Sequence, residues 1–150
     1  MLQPKGDCIF CSIAHGLSNE PIRSETNNVV IFADRYPKAK YHFQCVPKQH
    51  IRNAKQLKHE DVPLVVEMVN CGKAFITSQL HLNPDDFLFG FHWPPFNSVH
   101  HLHMHILGPK KCMNFNPMFD SRFHIFKKVE KVLSDLHANI QVEGDRTVLF

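Results

Sequence analysis

The 150-residue sequence predicts one α+β domain, with an antiparallel sheet of about five strands, a short N-terminal helix, one long helix and a C-terminal helix. Strand-like segments lie before and after a longer segment whose apolar residues recur at helical spacing. Because the strands are grouped early and late in the chain, their order favours an antiparallel sheet over a parallel βαβ fold. A chain of this length buries about 70% of its unfolded surface, which suits one hydrophobic core.

The first predicted elements are a short helix and a β-hairpin. Asp7 can cap the helix by accepting hydrogen bonds from its first N–H groups, and Gly16 can adopt the left-handed conformation at its end. The hairpin has strands over residues 22–25 and 29–34. Its turn contains the pair Asn27-Asn28, two residues that tolerate a positive φ.

The middle of the chain predicts a third strand, the long helix and a fourth strand. The third strand covers residues 41–47 and ends at Pro47, which cannot donate to a strand ladder. The long helix covers residues 60–82, where apolar residues recur at helical spacing. The fourth strand covers residues 86–92, and the two prolines in residues 93–97 make the following loop stiff.

The C-terminal part of the chain predicts a helix over residues 121–136, where apolar side chains share one stripe. A strand, a partner contact and disorder all stay open for residues 139–150, because alternating valines lie there among many charges. We therefore predict a domain over residues 1–138 and a C-terminal tail over residues 139–150.

The most informative stretch begins at Ser98 and reads SVHHLHMHILGP. Successive side chains of a strand point to opposite faces, so His101, His103 and His105 share one face and apolar residues take the other. Each imidazole can act as a nucleophile, a proton donor or a metal ligand near neutral pH. A His-rich solvated edge strand is the plain alternative, but the strict alternation favours a functional face. His100 lies out of register and is interpreted as structural.

Composition narrows the function and the compartment. The net charge of +3 is too small and dispersed to indicate a nucleic-acid partner, whereas a small anionic ligand fits it. No secretory signal or membrane span appears, which predicts a cytoplasmic or nuclear protein without a membrane partner. Five cysteines in a reducing compartment indicate free thiols or metal ligands. Cys45, Cys71 and Cys112 are expected to be ordinary thiols.

Residues 101–107 resemble the signature of the histidine triad family, in which three histidines alternate with apolar residues and two apolar residues follow. Further stretches resemble its type-3 nucleotide-binding branch; they are residues 7–11, 32–34, 42–43, 46–51 and 90–98. The resemblance implies an adenosine 5′-phosphoramidase, which hydrolyses AMP linked through phosphorus to an amine by way of a histidine-bound AMP. It also implies a purine nucleotide as substrate and a homodimer formed by joining two sheet edges.

The resemblance assigns four catalytic residues. His103 matches the nucleophile, and a neutral imidazole can attack phosphorus without first losing a proton. A main-chain carbonyl on the same strand would fix the tautomer of His103. His105 would donate a hydrogen bond to the phosphoryl oxygen, and His42 matches a fourth histidine across the sheet. Ser98 would lie beside the leaving group.

The resemblance also implies a nucleotide pocket, formed by Phe10, Ile13, Phe32, Asp34, Arg35 and Asn97. Asp34 would accept hydrogen bonds from both ribose hydroxyls, although an aspartate near a strand end is more often a turn residue. The apolar members could equally be ordinary core residues. Gly90 stands where type-1 relatives have an asparagine, which leaves the base and leaving-group preferences open.

A second set of residues resembles a metal site. Many family members with a Cys pair spaced like Cys8 and Cys11 bind a structural zinc ion with two histidines, and His50 and His101 match those positions. A single CxxC is weak evidence, and free thiols at a helix start are the alternative. No cofactor is expected for catalysis.

Two other functions compete with the phosphoramidase. An aprataxin-like hydrolase, which removes AMP from DNA 5′ ends, is also similar around residues 90–92, but the chain after His105 has only Cys112 and no zinc-finger spacing. A nucleotide-binding interaction protein with incidental activity is the alternative from another class.

Overall fold

The computed structural model describes residues 3–147, with side chains through residue 139. The strands are β1 Ile22–Glu25, β2 Val29–Ala33, β3 Tyr41–Pro47, β4 Leu88–His92, β5 Met104–Gly108 and β6 Phe126–Lys128. The helices are α1 Ile9–Ala14, α2 Val62–Phe75 and α3 Val129–Thr147. All strand pairs are antiparallel, in the order β1-β2-β3-β5-β4-β6, which confirms the predicted α+β class.

The sheet separates two layers because alternate strand residues face opposite sides. On β2, Val29 and Ile31 pack in the main core with α2 and α3, whereas Val30 and Phe32 pack against α1. The same alternation places Leu102, Met104 and Ile106 in the main core. The histidines between them therefore face the α1 side of the sheet.

The N-terminal elements follow the prediction with two changes. Cys8 rather than Asp7 caps α1, since the Cys8 sulfur accepts a hydrogen bond from the Cys11 N–H over 3.3 Å. The hairpin turn uses no positive φ at its asparagines; instead the Thr26 hydroxyl accepts from the N–H groups of Asn28 and Val29, over 3.2 and 3.1 Å.

The boundaries of three central elements also differ from the prediction. The long helix α2 begins at Val62, and a wider helical turn, Ile76–Leu80, continues it to nearly the predicted end. β4 begins at Leu88, because Pro84–Asp86 form a 3₁₀ turn. β5 begins only at Met104, so the first two histidines of the triad precede its ladder.

The helix predicted over residues 121–136 is wrong in its first half. Ser121–Phe123 form a 3₁₀ turn, His124 adopts a left-handed φ of 60°, and β6 follows before α3 begins. Pairing with β4 overrides the helical spacing, because Gly90 offers a surface without a Cβ. A Cβ at Gly90 would collide with the Phe126 ring and the Lys127 carbonyl.

The sixth strand changes the edges of the sheet. β6 covers the outer edge of β4, which leaves β1 and β6 as the outermost strands of the described chain. The edge-to-edge homodimer stays a prediction. α3 continues past residue 138 into the predicted tail, and residues 148–150 lie outside the described residues. None of the described helices has the length and apolarity needed to cross a membrane.

Candidate active site

A cavity of about 360 Å³ opens on the α1 side of the sheet. Every predicted catalytic and nucleotide-binding residue except Asn97 lines it; these are Phe10, Ile13, Phe32, Asp34, Arg35, His42, Ser98, His103 and His105. Asn97 instead borders a much smaller pocket next to His101. Two elements supply the apolar wall, since Phe10 of α1 and Phe32 of β2 meet edge to face with ring centroids 5.3 Å apart.

The His103 ring is held in one tautomer. Its Nδ1–H donates to the main-chain carbonyl of His101 over 2.7 Å, so Nε2 carries the free lone pair. Burial lowers the pKa of His103, which keeps the ring neutral near pH 7. The Phe10 ring packs edge to face against it at 5.2 Å. His103 therefore has the protonation state and orientation of a nitrogen nucleophile.

His42 and His105 form a chain of hydrogen bonds that begins at the backbone. The Lys38 N–H donates to His42 Nδ1 over 3.0 Å, so a neutral His42 carries its proton on Nε2. That Nε2–H donates to His105 Nδ1 over 2.9 Å, which requires His105 to carry its proton on Nε2. Burial lowers the pKa of both rings, so both are neutral near pH 7.

The His105 Nε2–H has no hydrogen-bond partner within the described chain, although it is buried. A buried donor without a partner is costly, and a ligand oxygen can satisfy it. The His103 and His105 rings lie 5.2 Å apart. The cavity therefore contains a neutral nucleophile beside an unpaired hydrogen-bond donor, which is the arrangement needed to attack a phosphoryl group and stabilise its oxygen.

Asp34 lies at the edge of this histidine pair. Its Oδ1 accepts from the Tyr36 N–H over 2.8 Å, and its Oδ2 accepts from the Gln44 side-chain N–H over 2.6 Å. Oδ2 also lies 3.3 Å from His42 Nε2 and 3.7 Å from His105 Nδ1. Oδ1 has a second lone pair beyond the one used by Tyr36, so Asp34 retains acceptor capacity for a ligand at that oxygen.

Ser98 lies at the mouth of the cavity and is exposed. The rigid proline loop delivers it there, as the sequence predicts. Ser98 also borders a larger open basin of about 830 Å³, whose wall includes Lys5, Arg52 and Lys58. A group that leaves from the phosphorus of a bound nucleotide has space beyond Ser98.

Sequence reasoning missed the far side of the cavity. The His92 Nε2–H donates to the Met118 carbonyl over 2.8 Å, and its ring lies 4.6 Å from the His105 ring. Phe119 packs edge to face on His42 and His105, at 5.4 and 5.3 Å. His92 could have been suspected as the last residue of a predicted strand. Met118 and Phe119 lie in a short 3₁₀ turn, Pro117–Phe119, which is too short to give a periodic signal.

Gln44 was also missed, and here a signal existed. It follows His42 by two residues on β3, so strand alternation places both side chains on one face. Gln44 pairs with His105 in the β3–β5 ladder.

The predicted metal ligands come together on the other side of His101. The Cys8 sulfur lies 3.3 Å from His101 Nδ1, and the Cys11 sulfur lies 3.4 Å from Nδ1 of both His50 and His101. All four ligand atoms lie within 4.8 Å of one another. Ligands of a tetrahedral zinc ion, with Zn–S of about 2.3 Å and Zn–N of about 2.0 Å, are separated by about 3.5 Å. These residues, which we call the thiol-histidine cluster, therefore fit zinc.

The protonation of His101 agrees with that fit. Its Nε2–H donates to the Pro47 carbonyl over 2.8 Å, so Nδ1 presents its lone pair to the two sulfurs. Histidine ligands usually donate their other N–H to such an acceptor. Burial lowers the pKa of His101 to about 4, so the ring is in the neutral form that binds metals. The remaining cysteines are free thiols, with Cys45 and Cys71 buried and Cys112 exposed.

Comparison with known proteins agrees with this geometry. A family model described as "Scavenger mRNA decapping enzyme C-term binding" matches residues 7–118. The mouse adenosine 5′-monophosphoramidase HINT3 is 37% identical over 111 residues, which cover 73% of this chain and 67% of that protein. The chain belongs to the histidine triad family.

Two further relatives are a solved structure with the same fold and a more distant sequence named aprataxin. The solved structure of a histidine triad protein from Clostridium difficile has a TM-score of 0.68 and 28% identity, over 76% of this chain and 100% of that one. Aprataxin from Ciona intestinalis is 32% identical over 90 residues, which cover 59% of this chain but only 23% of that protein. The chain therefore has the histidine triad fold, and its relatives include both an adenosine 5′-monophosphoramidase and an aprataxin.

Proposed function

We propose that the protein hydrolyses adenosine 5′-phosphoramidates through a covalent AMP intermediate on His103. The observation that supports this most directly is that two ring nitrogens with complementary roles lie side by side in the cavity. His103 presents a lone pair on Nε2, and the neighbouring His105 presents a buried N–H without a partner. Relatives named adenosine 5′-monophosphoramidase support the choice of substrate class.

In the first step, His103 Nε2 forms a bond to the phosphorus as the bond from phosphorus to the amine nitrogen breaks. The departing amine takes a proton, which the Ser98 hydroxyl relays from solvent. The positive charge on the His103 ring is stabilised by its Nδ1–H donating to the His101 carbonyl. In the second step, water attacks the phosphorus and gives up a proton to solvent through the Ser98 hydroxyl. The bond to His103 breaks, and AMP leaves with the neutral ring restored.

His105 supplies electrostatic stabilisation in both steps. Its Nε2–H donates to the phosphoryl oxygen as negative charge builds there, from a ring that is itself buried. A positioned donor of this kind typically contributes about 10²–10³ in rate.

The nucleotide is held by groups on α1, β2 and the turn after β2. Phe10, Ile13 and Phe32 contact the purine, and Asp34 accepts from the ribose hydroxyls with its remaining lone pairs. Arg35 lines the same cavity and provides a cation for the nucleotide phosphate. Apolar walls separate a purine from water more effectively than they separate adenine from guanine.

We also propose that the thiol-histidine cluster binds a structural zinc ion. Cys8, Cys11, His50 and His101 would hold it, and four protein ligands leave no open position for catalysis. The ion would fix α1 against the segment that carries the nucleophile just before β5, since His101 precedes His103 by two residues.

The test is hydrolysis of adenosine 5′-phosphoramidate, in which ammonia is the leaving group. We expect turnover by the wild-type protein, and a loss of at least about a thousandfold in His103→Ala. His100→Ala changes an exposed histidine of the same stretch and should retain activity. A denaturing quench at alkaline pH should preserve one AMP per wild-type chain by mass spectrometry. Equal turnover by wild type and His103→Ala would contradict the proposal.

A parallel assay with a DNA 5′-adenylate tests the aprataxin-like activity, which the similarity to aprataxin supports as the second candidate. The same nucleophile would attack the phosphorus of a DNA 5′-adenylate, with the DNA 5′-phosphate as leaving group. Hydrolysis of the DNA substrate alone would favour that activity. Binding of AMP without turnover of either substrate would favour a nucleotide-binding protein.

A further inference from the structure

Gln44 is a buried amide whose two ends have different surroundings. Its side chain is only 9% exposed and lines the nucleotide cavity. The side-chain N–H donates to Asp34 Oδ2 over 2.6 Å, whereas Oε1 has no partner within the described chain. Burying a polar group that is only partly satisfied costs stability, so its position calls for a functional explanation.

Gln44 competes with His42 for the same carboxylate oxygen. Asp34 Oδ2 lies 2.6 Å from Gln44 Nε2 and 3.3 Å from His42 Nε2. The His42 Nε2–H donates to His105 Nδ1 over 2.9 Å, and the Asp34 oxygen is the other acceptor within reach of it. A charged acceptor makes a stronger hydrogen bond than a neutral ring nitrogen, so a free Asp34 oxygen would attract the His42 proton. Gln44 occupies that oxygen at the shorter distance.

This competition determines where His105 carries its proton. While His42 donates to His105 Nδ1, that nitrogen must be an acceptor and the proton of His105 lies on Nε2. If His42 donated to Asp34 instead, His105 Nδ1 could hold the proton and direct it to the carboxylate, which lies 3.7 Å away. The Nε2 position would then lose its N–H and could not donate to a phosphoryl oxygen.

We propose that Gln44 is a positioning residue that fixes the Nε2–H tautomer of His105 by occupying Asp34 Oδ2. The effect on catalysis rests on the proposed function, because it requires His105 to donate to the phosphoryl oxygen. The tautomer itself can be measured in the resting protein without any substrate.

The experiment compares wild type with Gln44→Leu and Gln44→Met, which keep the size of the side chain and remove its donor. Nitrogen-15 chemical shifts of the histidine rings identify the protonated nitrogen. We expect an Nε2–H on His105 in wild type, and a mixture containing Nδ1–H in both variants. For adenosine 5′-phosphoramidate, kcat should fall about tenfold with little change in KM, since only part of the donor population is lost.

Two further variants separate positioning from packing. Gln79→Leu makes the same change at an exposed site outside both the nucleotide cavity and the basin beyond Ser98, and should leave both the tautomer and kcat unchanged. Asp34→Asn combined with Gln44→Leu removes the competing charge and should return His105 to the Nε2–H form, with a raised KM for the nucleotide. If Gln44→Leu acted only through lost packing, adding Asp34→Asn would not return His105 to the Nε2–H form.

The outcomes distinguish this inference from the proposed function. An Nε2–H on His105 in Gln44→Leu or Gln44→Met, with kcat as in wild type, would overturn the inference. An Nδ1–H on His105 in the wild-type protein would also overturn it. If the tautomer shifts as expected but wild type does not hydrolyse the phosphoramidate, the proposed function fails and the role of Gln44 stands.

Discussion

Two clusters in this protein gather metal-binding side chains equally closely, yet they have opposite chemistry. The thiol-histidine cluster contains four ligand atoms, and the carboxylate-histidine cluster contains Asp34, His42 and His105. In each, the ligand atoms lie within 4.8 Å of one another. Distance between ligand atoms therefore does not separate a metal site from a proton relay.

The two clusters differ in the backbone group that hydrogen-bonds to one ring nitrogen of the histidine, because this group decides which nitrogen carries the proton. Behind His101 lies a carbonyl, which takes the proton on Nε2 and leaves Nδ1 free for a metal. Behind His42 lies the Lys38 N–H, which occupies Nδ1 and keeps the proton on Nε2, toward His105. A metal ion at His42 Nε2 would require loss of that proton from an already neutral ring. The carboxylate-histidine cluster is therefore suited to directing protons.

The largest expected effect that sharpens this comparison is loss of the metal. Cys11→Ser removes a sulfur ligand of the zinc site proposed for the thiol-histidine cluster. On that proposal, bound zinc should fall from about one ion per chain to near zero and the melting temperature should drop. His42→Asn alters only the carboxylate-histidine cluster and should retain the zinc. Elemental analysis and thermal unfolding measure both results. A zinc loss in His42→Asn similar to that in Cys11→Ser would break the comparison.

The next effect concerns catalysis at the carboxylate-histidine cluster. His105→Asn removes the Nε2–H donor, so kcat for adenosine 5′-phosphoramidate should fall by about 10²–10³ while zinc content stays unchanged. Steady-state kinetics and elemental analysis on the same preparation check this. Full activity in the variant would show that the unpaired donor of His105 has no part in the reaction.

The smallest expected effect is the pH dependence of the free energy of unfolding that arises from His42 and His105. Burial lowers the pKa of His42 and His105 below the ordinary value of 6.5, so the folded protein keeps both rings neutral where the unfolded chain already binds protons. The free energy of unfolding should therefore decrease as pH falls from about 6.5 toward the lowered pKa values. Each group contributes at most about 1.4 kcal/mol per pH unit.

Urea unfolding at a series of pH values measures this slope. The double variant His42→Gln/His105→Gln should have a shallower slope than wild type, because two of the titrating rings are gone. Turnover in wild type should decline only at lower pH, as the pH falls through the lowered pKa values of the folded protein, since protonation of either ring breaks the hydrogen bond between them. An unchanged slope in the double variant would assign the pH dependence to other groups.

The part of the site that could be predicted from sequence follows local rules. Strand alternation alone places His103 and His105 on the face opposite Met104, because side chains alternate whatever the neighbouring strands do. The apolar wall from Phe10 and Phe32 and the cavity position of Asp34 came from the resemblance to the histidine triad family. Both sources describe residues that lie within continuous motifs.

The rest depends on contacts between distant parts of the chain. Gln44 gains its role only because β3 lies beside β5 in one register. Phe119 reaches the histidines from a short 3₁₀ turn, Pro117–Phe119. β6 was predicted as helix because residues 121–136 have helical spacing. The glycine that makes room for the Phe126 ring, Gly90, lies about 36 residues earlier in the chain. Single-sequence periodicity contains no information on such pairings.

The covering of β4 by β6 has a practical consequence for shortened versions of this chain. The family match ends at residue 118, eight residues before β6 begins. A fragment cut at that limit would keep the whole histidine motif and still leave the backbone of Gly90, Phe91 and His92 without its neighbouring strand. Exposed strand edges of this kind promote aggregation, so the minimal soluble unit must extend through Lys128 even though no catalytic side chain lies there.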